Sequence, residues 1–245
     1  MPHLISITPS HYCEKSRWSL ELAGIEFEET RYTPFFHIGP VKKAGGVRTT
    51  PVLQTTEGAF SDSVDISAWI QKQNKSFLPY GKDEEQRKKI LEWENYFGNK
   101  IGPHTRLVAY HYILPRKDLV LLCMKDPDTG KPAHSMFSGL FPMFRFLMKK
   151  AMNITPKTAE KSLQKLRERL DEIEEKADGR FIVGDSLTVA DIAFASLMAP
   201  MVAPEKYGAL LPELDSLDDD LRGLVEEFRE HPTGKRCLWL YEEYR

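Results

Sequence analysis

The stretch Ser10–Trp18, Ser-His-Tyr-Cys-Glu-Lys-Ser-Arg-Trp, contains side chains suited to thiol chemistry. It follows a short apolar run, Leu4–Ile7, and opens a predicted helix, so a predicted strand leads directly into a helix N-terminus. Such a terminus carries about half a positive charge and several unpaired backbone N–H groups. These groups favour a thiolate over a thiol, and Ser10 stands where a thiolate sulfur would arrive.

Ser10 and Cys13 also have simpler interpretations. Ser10 fits an ordinary N-cap, whose removal typically costs about 1 kcal/mol of stability. Cys13 lies on a helical stripe with Ser16 or Arg17 and Leu20, so it also fits a small packed hydrophobic residue. The residues of this stretch alone leave the catalytic and the structural interpretations open.

The overall charge favours neither nucleic acid nor an anionic membrane as a partner. The 245 residues include 34 basic and 36 acidic side chains, which gives a formal net charge of −2. A protein with this balance has no general electrostatic attraction to polyanions. We therefore expect no nucleic-acid partner.

Cysteine usage and the N-terminus predict a cytoplasmic protein. Cys13, Cys123 and Cys237 are widely separated and odd in number, which is typical of a reducing compartment. They form neither a Cys-x-x-Cys pair nor a zinc-type spacing, so no metal site is expected. The N-terminus lacks a basic and apolar signal pattern, and no run of about 18 apolar residues predicts a membrane span.

The elements that must position Ser10 form a small α/β unit over residues 1–77. Predicted strands alternate there with predicted helices, and Gly-rich or turn-forming segments separate them. In chain order the predicted elements are strand Leu4–Thr8, helix Tyr12–Ala23, strand Phe27–Tyr32, strand Pro51–Thr55, strand Ala59–Phe60 and helix Ser63–Gln73.

A linker over residues 78–83 separates this unit from residues 84–245, where helical spacing replaces the strand signal. The second half is therefore predicted to be all-helical. Near its end Thr188 and Asp191 have the spacing of a capping box, in which an acidic side chain accepts a backbone N–H at the helix start. We assign Asp191 to folding rather than catalysis.

Four motifs occur in an order and spacing that resemble those of the cytosolic glutathione transferases. They are Ser10-x-x-Cys13 after the first strand, Thr50-Pro51-Val52-Leu53 before the third, Asp62-Ser63 at a helix start, and the late capping box. The resemblance covers nearly the whole chain and is weakest over residues 113–155. It implies a thioredoxin-like, glutathione-binding N-terminal domain (1–77) and an all-helical C-terminal domain (84–245) that contributes a hydrophobic electrophile site.

The resemblance also implies an activity. Ser10 stands at the position that activates the thiol in serine-type enzymes, such as the tau-like and theta-like classes, so Ser10 is the predicted catalytic residue. The expected reaction conjugates glutathione, as co-substrate, to a hydrophobic electrophile without a metal. A detoxification role and a homodimer, formed by docking each N-terminal domain on the neighbouring helical domain, are further expectations from the family.

Glutathione-binding residues follow from the same resemblance. Thr50, before a cis-proline at Pro51, would pair its backbone with the cysteinyl part of glutathione. Ser63 and its helix N-terminus would receive the γ-glutamyl carboxylate, and Asp62 the adjacent ammonium. Arg48 is the predicted cation for the glycyl carboxylate.

Two alternatives remain open at this point. Omega-like and lambda-like classes place a cysteine where this chain has Ser10, so a thiol-disulfide oxidoreductase that uses Cys13 as nucleophile is one alternative. The other is a non-catalytic binding or scaffold protein that uses the apolar, basic segment 134–152. His104, Tyr110, His111 and Tyr112 are candidates for the electrophile cleft, and Gly102-Pro103 is expected to kink the helix that carries them.

Overall fold

The structure, a computed structural model, describes residues 1–74, 81–127 and 137–245. In this part of the chain a mixed α/β unit is followed by helices alone. The α/β unit contains β1 (His3–Ile7), α1 (His11–Leu22), β2 (Glu28–Tyr32), α2 (Ile38–Lys43), β3 (Val52–Thr55), β4 (Gly58–Phe60) and α3 (Ser63–Gln73).

The helical half begins with α4 and continues through α11. A π-helical turn, Phe97–Ile101, joins α4 to α5, and a short 3-10 turn, Leu214–Ser216, precedes α10. The α-helices are α4 (Glu84–Tyr96), α5 (Gly102–Ile113), α6 (Lys117–Cys123), α7 (Phe137–Ala151), α8 (Pro156–Lys176), α9 (Val189–Val202), α10 (Asp219–Glu230) and α11 (Pro232–Tyr244).

The sheet of the α/β unit has the strand order β2-β1-β3-β4. β1 is parallel to β2 and antiparallel to β3, and β3 forms a hairpin with β4. Because successive strand residues point to opposite faces, Leu4 packs with α1 and α3 while Ile5 packs with Val41 of α2. The predicted α/β unit is confirmed, and the bounds of its predicted strands and helices differ from the observed ones by at most one residue. The sequence analysis did not predict the short helix α2.

Helix α9 forms the centre of the helical half. All but one of its residues are buried, and it packs against α1, α4, α5, α10 and α11. The Asp191 carboxylate accepts hydrogen bonds from the backbone N–H groups of Thr188 (2.8 Å) and Ile182 (2.7 Å), which fixes the first turn. The predicted folding role of Asp191 is therefore confirmed.

Buried ion pairs connect α1 to its surroundings. Lys15 pairs with Glu94 of α4 at 2.6 Å, and Glu14 pairs with Arg17 (2.6 Å) and with Arg245 at the end of the chain (2.9 Å). A buried charge is tolerated only when it is paired. These pairs therefore set the position of α1, and with it the loop that carries Ser10, relative to the helical half.

Two sequence predictions fall partly on residues that the structure does not describe. Half of the predicted linker, residues 78–80, lies outside the described residues, so the limits of the two domains stay a prediction. Segment 134–152 is described from residue 137 onward, where it forms α7. Within the described residues no helix is long and apolar enough to cross a membrane.

Candidate active site

Ser10 lies in the short turn between β1 and α1, and its side chain caps the helix. Its backbone is extended, with φ −73° and ψ 117°, and its Oγ accepts the backbone N–H of Cys13 at 3.4 Å. The Ser10 backbone N–H donates to the Ile7 carbonyl at 3.0 Å, which closes the turn. Acceptance at the cap leaves the single hydroxyl proton for a nearby sulfur, either that of Cys13 or that of an arriving thiolate, so the capping role and the proposed catalytic role are compatible.

Cys13 is fully buried below this turn. Burial raises the pKa of its thiol, and hydrogen bonds from Ser10, the Ile7 backbone and Thr50 only partly oppose that rise. The thiol therefore stays protonated at neutral pH and lies away from solvent. Both properties make Cys13 a poor nucleophile, because the thiolate is the reactive form.

The Thr50-Pro51 peptide bond is cis, as the sequence resemblance predicts. β3 begins at the next residue, and its antiparallel register with β1 pairs Val52 with Ile5. Continuing that register brings Thr50 to the end of β1 where the Ser10 turn starts. The Thr50 side chain reaches the Cys13 thiol from there, so Ser10, Cys13 and Thr50 form one cluster.

Asp62 and Ser63 mark the start of α3. The Asp62 Oδ1 accepts the Val64 backbone N–H at 2.8 Å, which makes Asp62 an exposed N-cap, whereas Ser63 is buried. Burial raises the pKa of Tyr12, and the charge of Asp62 adds to that rise. The start of α3 therefore lies within electrostatic range of the first turn of α1.

Arg48 is exposed in the loop between α2 and β3. Its backbone carbonyl accepts a hydrogen bond from His37 Nε2 at 3.0 Å. No hydrogen bond or ion pair joins the Arg48 side chain to any other residue in the described part of the chain. The structure thus brings the other predicted glutathione-binding residues toward α1 but leaves the Arg48 side chain at the surface.

The helical half holds the Ser10 turn through three hydrogen bonds. Tyr207 donates its hydroxyl to the Pro9 carbonyl at 3.1 Å. Tyr12 donates to the Gly98 carbonyl at 2.7 Å, inside the π-helical turn. His11 Nε2 donates to the Gly102 carbonyl at 3.0 Å.

Gly102 is needed for this docking, because a Cβ at this position would lie 2.5 Å from the Tyr12 hydroxyl. The kink expected at Gly102-Pro103 stays a prediction, and a π-helical turn, Phe97–Ile101, ends directly before these two residues. His11 is neutral here, since burial, aided by the charge of Arg106, lowers its pKa to about 3. A neutral His11 therefore holds the turn by a hydrogen bond and contributes no charge.

A largely apolar cavity begins beside the Ser10 turn. Pro9 and His11 contribute the wall on the side of the α/β unit. The helical half contributes the remainder, including Arg106, Tyr110, Phe144 and Tyr207. A cavity with this lining suits a hydrophobic molecule.

Only one of the four predicted cleft residues lines this cavity, namely Tyr110. His104 instead shares a hydrogen bond with Ser162 of α8 at 3.0 Å, and His111 stacks edge-on against Tyr112. Within the described residues, no group of three or more His, Cys, Asp or Glu side chains is arranged to hold a metal ion.

Comparison with known protein families identifies both halves of the chain. Residues 4–76 match the family model of the glutathione S-transferase N-terminal domain, and residues 138–235 match that of the glutathione S-transferase C-terminal domain. This chain belongs to the glutathione transferase superfamily. No curated protein matches its sequence.

Several solved structures share the fold of the chain at low sequence identity. A beta-etherase from a Sphingobium species is 14% identical with a TM-score of 0.61, and the match covers 97% of this chain and 98% of the etherase. A glutathione S-transferase from Methylobacterium radiotolerans, in complex with glutathione sulfonate, is 19% identical with a TM-score of 0.55 and coverages of 97% and 94%. Glutathione S-transferase-I bound to lactoylglutathione is 16% identical with a TM-score of 0.56 and coverages of 98% and 99%.

Sequence reasoning missed two residues that surround this candidate site. Tyr207 has no local signal, because its contact with Pro9 joins residues far apart in the chain. Arg106 does have one, since it precedes Tyr110 by four residues and therefore lies on the same face of α5.

Proposed function

We propose that this protein activates glutathione as a thiolate with Ser10 and transfers it to a hydrophobic electrophile. The observation that carries the proposal is the position of Ser10. It lies at the N-terminus of α1, next to Thr50-Pro51 and beside the apolar cavity. Membership of the superfamily, whose solved members include complexes with glutathione derivatives, supports the same assignment.

In this proposal the α/β unit binds glutathione. The Thr50 backbone pairs with the cysteinyl part, Ser63 and the N-terminus of α3 receive the γ-glutamyl carboxylate, and Asp62 meets the ammonium group. A helix N-terminus with free N–H groups suits a carboxylate. Arg48 is assigned to the glycyl carboxylate, since its exposed side chain has no other partner among the described residues.

The proposed activation requires preferential stabilisation of the thiolate. Lowering a thiol pKa from about 8.5 to about 7 needs roughly 2 kcal/mol, because each unit corresponds to about 1.4 kcal/mol. A hydrogen bond to a charged group contributes about 1.5–3 kcal/mol, and a helix N-terminus about 0.3–1 kcal/mol. The Ser10 hydroxyl and α1 together can therefore supply the required amount.

The thiolate then attacks an electrophilic carbon of a substrate held in the cavity. A sulfur–carbon bond forms, and either a leaving group departs with its electron pair or, in an addition, the resulting carbanion takes a proton from water. We extend the proposal to a cytoplasmic homodimer with a detoxification role, as the family resemblance implies.

The test is a pH titration of enzyme-bound glutathione, followed by thiolate absorbance in the ultraviolet. We expect a bound-thiol pKa near 7 in the wild type and about 8 in Ser10→Gly, where the contribution of the α1 N-terminus remains. Glycine is the better replacement, because it costs an N-cap only a few tenths of a kcal/mol while it removes the hydroxyl. Ser16→Ala, which removes a hydroxyl nearly two turns further along α1, should leave the bound pKa unchanged.

Three results would contradict the proposal. If the pKa of the bound glutathione thiol is not lowered in the wild type, Ser10 acts only as an N-cap. Equal pKa values in the wild type and Ser10→Gly would show that another group activates the thiol. No glutathione binding at all would favour the ligand-binding or scaffold alternative.

A further inference from the structure

The apolar cavity contains a cation that the conjugation chemistry described above does not use. Of the described residues that line it, Arg106 is the one with a formal charge, since the neighbouring His11 is neutral. Arg106 projects from the face of α5 that also carries Ala109, Tyr110 and Ile113. These residues follow it at i+3, i+4 and i+7, so all four lie on the wall of the cavity.

Arg106 has no carboxylate partner within the described part of the chain. No ion pair or hydrogen bond to its guanidinium is present there, and its Nε is buried without a hydrogen-bond partner. By contrast, Arg17 and Arg245, whose side chains are largely buried, each bind carboxylates. Partial burial of a cation without a counter-ion costs desolvation free energy. The Arg106 guanidinium can therefore still gain free energy by binding an anion.

The surroundings of Arg106 hold the guanidinium in place and leave its charge uncompensated. Its Cζ lies 5.9 Å from the centroid of the Tyr12 ring, which is within cation–π distance. Its positive charge helps to lower the pKa of buried His11. The same charge opposes the rise that burial causes in the pKa of Tyr110. Asp62 acts on the same tyrosine, Tyr12, but does not form an ion pair with Arg106.

We infer that Arg106 is an anion receptor within the second-substrate cavity, and that the preferred electrophile is a hydrophobic molecule with a carboxylate. The planar guanidinium matches a carboxylate in a bidentate geometry, and the low dielectric of an apolar wall strengthens that pair. The apolar remainder of the substrate would contact residues such as Ala109, Ile113 and Phe144. This assignment rests on the proposed function for the identity of the cavity but can be measured without turnover.

The first experiment measures binding by calorimetry without glutathione. The ligands are naphthaleneacetate and its neutral primary amide, which have nearly the same shape. We expect the wild type to bind the carboxylate, and Arg106→Met to lose about ten- to a hundredfold of that affinity while its affinity for the amide changes less than twofold. Arg106→Lys should recover part of the loss, because lysine restores the positive charge but not the planar pair of N–H donors that binds both carboxylate oxygens.

Arg167→Met is the matched control, because it removes one arginine from an exposed pair with Glu227. It should behave as the wild type with both ligands. Two results overturn the inference: no measurable binding of the carboxylate by the wild type, or a ratio of carboxylate to amide affinity that is equal in the wild type and Arg106→Met.

A second experiment asks which carboxylate Arg106 binds. Glutathione also carries carboxylates, so its affinity is measured in the same variants. We expect less than a twofold change in Arg106→Met. A tenfold loss of glutathione affinity, with no selective loss for naphthaleneacetate, would assign Arg106 to glutathione and overturn the inference.

Measurements of turnover distinguish this inference from the proposed function. We compare kcat/KM for para-chlorodinitrobenzoate and the corresponding benzamide with glutathione. Arg106→Met should lower the value about ten- to a hundredfold for the benzoate alone, since intrinsic reactivity cancels in the ratio of variant to wild type. Carboxylate binding that depends on Arg106, together with no turnover of either compound, would refute the conjugation function and leave the anion site established.

Discussion

Ser10 and Cys13 lie in the same helical turn, yet their exposure to solvent differs. Ser10 is half-buried beside the cavity, whereas Cys13 is fully buried beneath it. The field of the α1 N-terminus acts on both residues. Burial decides the chemistry, because it raises the pKa of the Cys13 thiol despite three hydrogen bonds. The turn therefore suits a bound thiol next to Ser10 better than a thiolate on Cys13.

This contrast predicts the alkylation behaviour of the native protein. All three cysteines are buried, and burial raises the pKa of Cys13 and Cys237 and raises that of Cys123 to about 12. Because the thiolate is the reactive species, iodoacetamide at pH 8 should modify none of them in the time that labels free glutathione completely. Intact-mass spectrometry gives the number of adducts.

The denatured protein is the control, and it should take up three adducts. Rapid labelling of native Cys13, or a mixed disulfide at Cys13 after incubation with glutathione disulfide, would contradict this prediction. Either result would instead favour the thiol-disulfide oxidoreductase alternative.

At the scale of single elements, helix α9 depends on its first turn. The Asp191 carboxylate is buried and binds the backbone N–H groups of Thr188 and Ile182 and the Thr188 hydroxyl. Asp191→Ala would leave both N–H groups buried without partners, at about 1–3 kcal/mol each. We expect the free energy of unfolding in urea to fall by about 3 kcal/mol or more.

Thr155→Ala at the N-cap of α8 is the comparison. This cap is exposed, so water can replace the lost hydrogen bond, and the expected cost is about 1 kcal/mol. A loss for Asp191→Ala no larger than that for Thr155→Ala would show that the capping box contributes nothing beyond an ordinary cap.

The elements that the sequence predicted well are those with local signals. The bounds of α3 and the capping box at Thr188 depend on residues a few positions apart, and both are confirmed. The residues that surround the Ser10 turn could not be predicted in the same way. The contacts of Tyr207 with Pro9 and of His11 with Gly102 join residues distant in sequence, which only tertiary packing brings together.

On the scale of the whole molecule, a chain of buried charges connects the sheet, α1 and the C-terminus. Arg17 binds Glu29 of β2 at 2.6 Å and also binds Glu14, which in turn binds Arg245. Arg245 also contacts Glu21, and the Trp18 indole donates to the Tyr244 carbonyl at 2.8 Å. The two halves of the molecule are thus joined by interactions that depend on ionised carboxylates.

The protonation of Glu29 should therefore make the stability of the whole protein sensitive to acid. Burial alone would raise the pKa of Glu29, but the hydrogen bonds and charge of Arg17, together with Arg31, lower it from 4.5 to about 2. The unfolded chain then binds more protons than the folded chain between these two pH values. The contribution of Glu29, up to about 3 kcal/mol, is complete above pH 4.5 and disappears as the pH falls to about 2.

Urea unfolding between pH 7 and pH 2.5 tests this expectation with Glu29→Gln. The variant should be less stable than the wild type at pH 7, and the difference should shrink steadily below pH 4.5. Asp118→Asn, which disrupts an exposed pair with Arg116, should cost less than about 1 kcal/mol at every pH. A difference between the wild type and Glu29→Gln that does not change with pH would mean that Glu29 stabilises the fold by packing, because only an ion pair is lost on protonation.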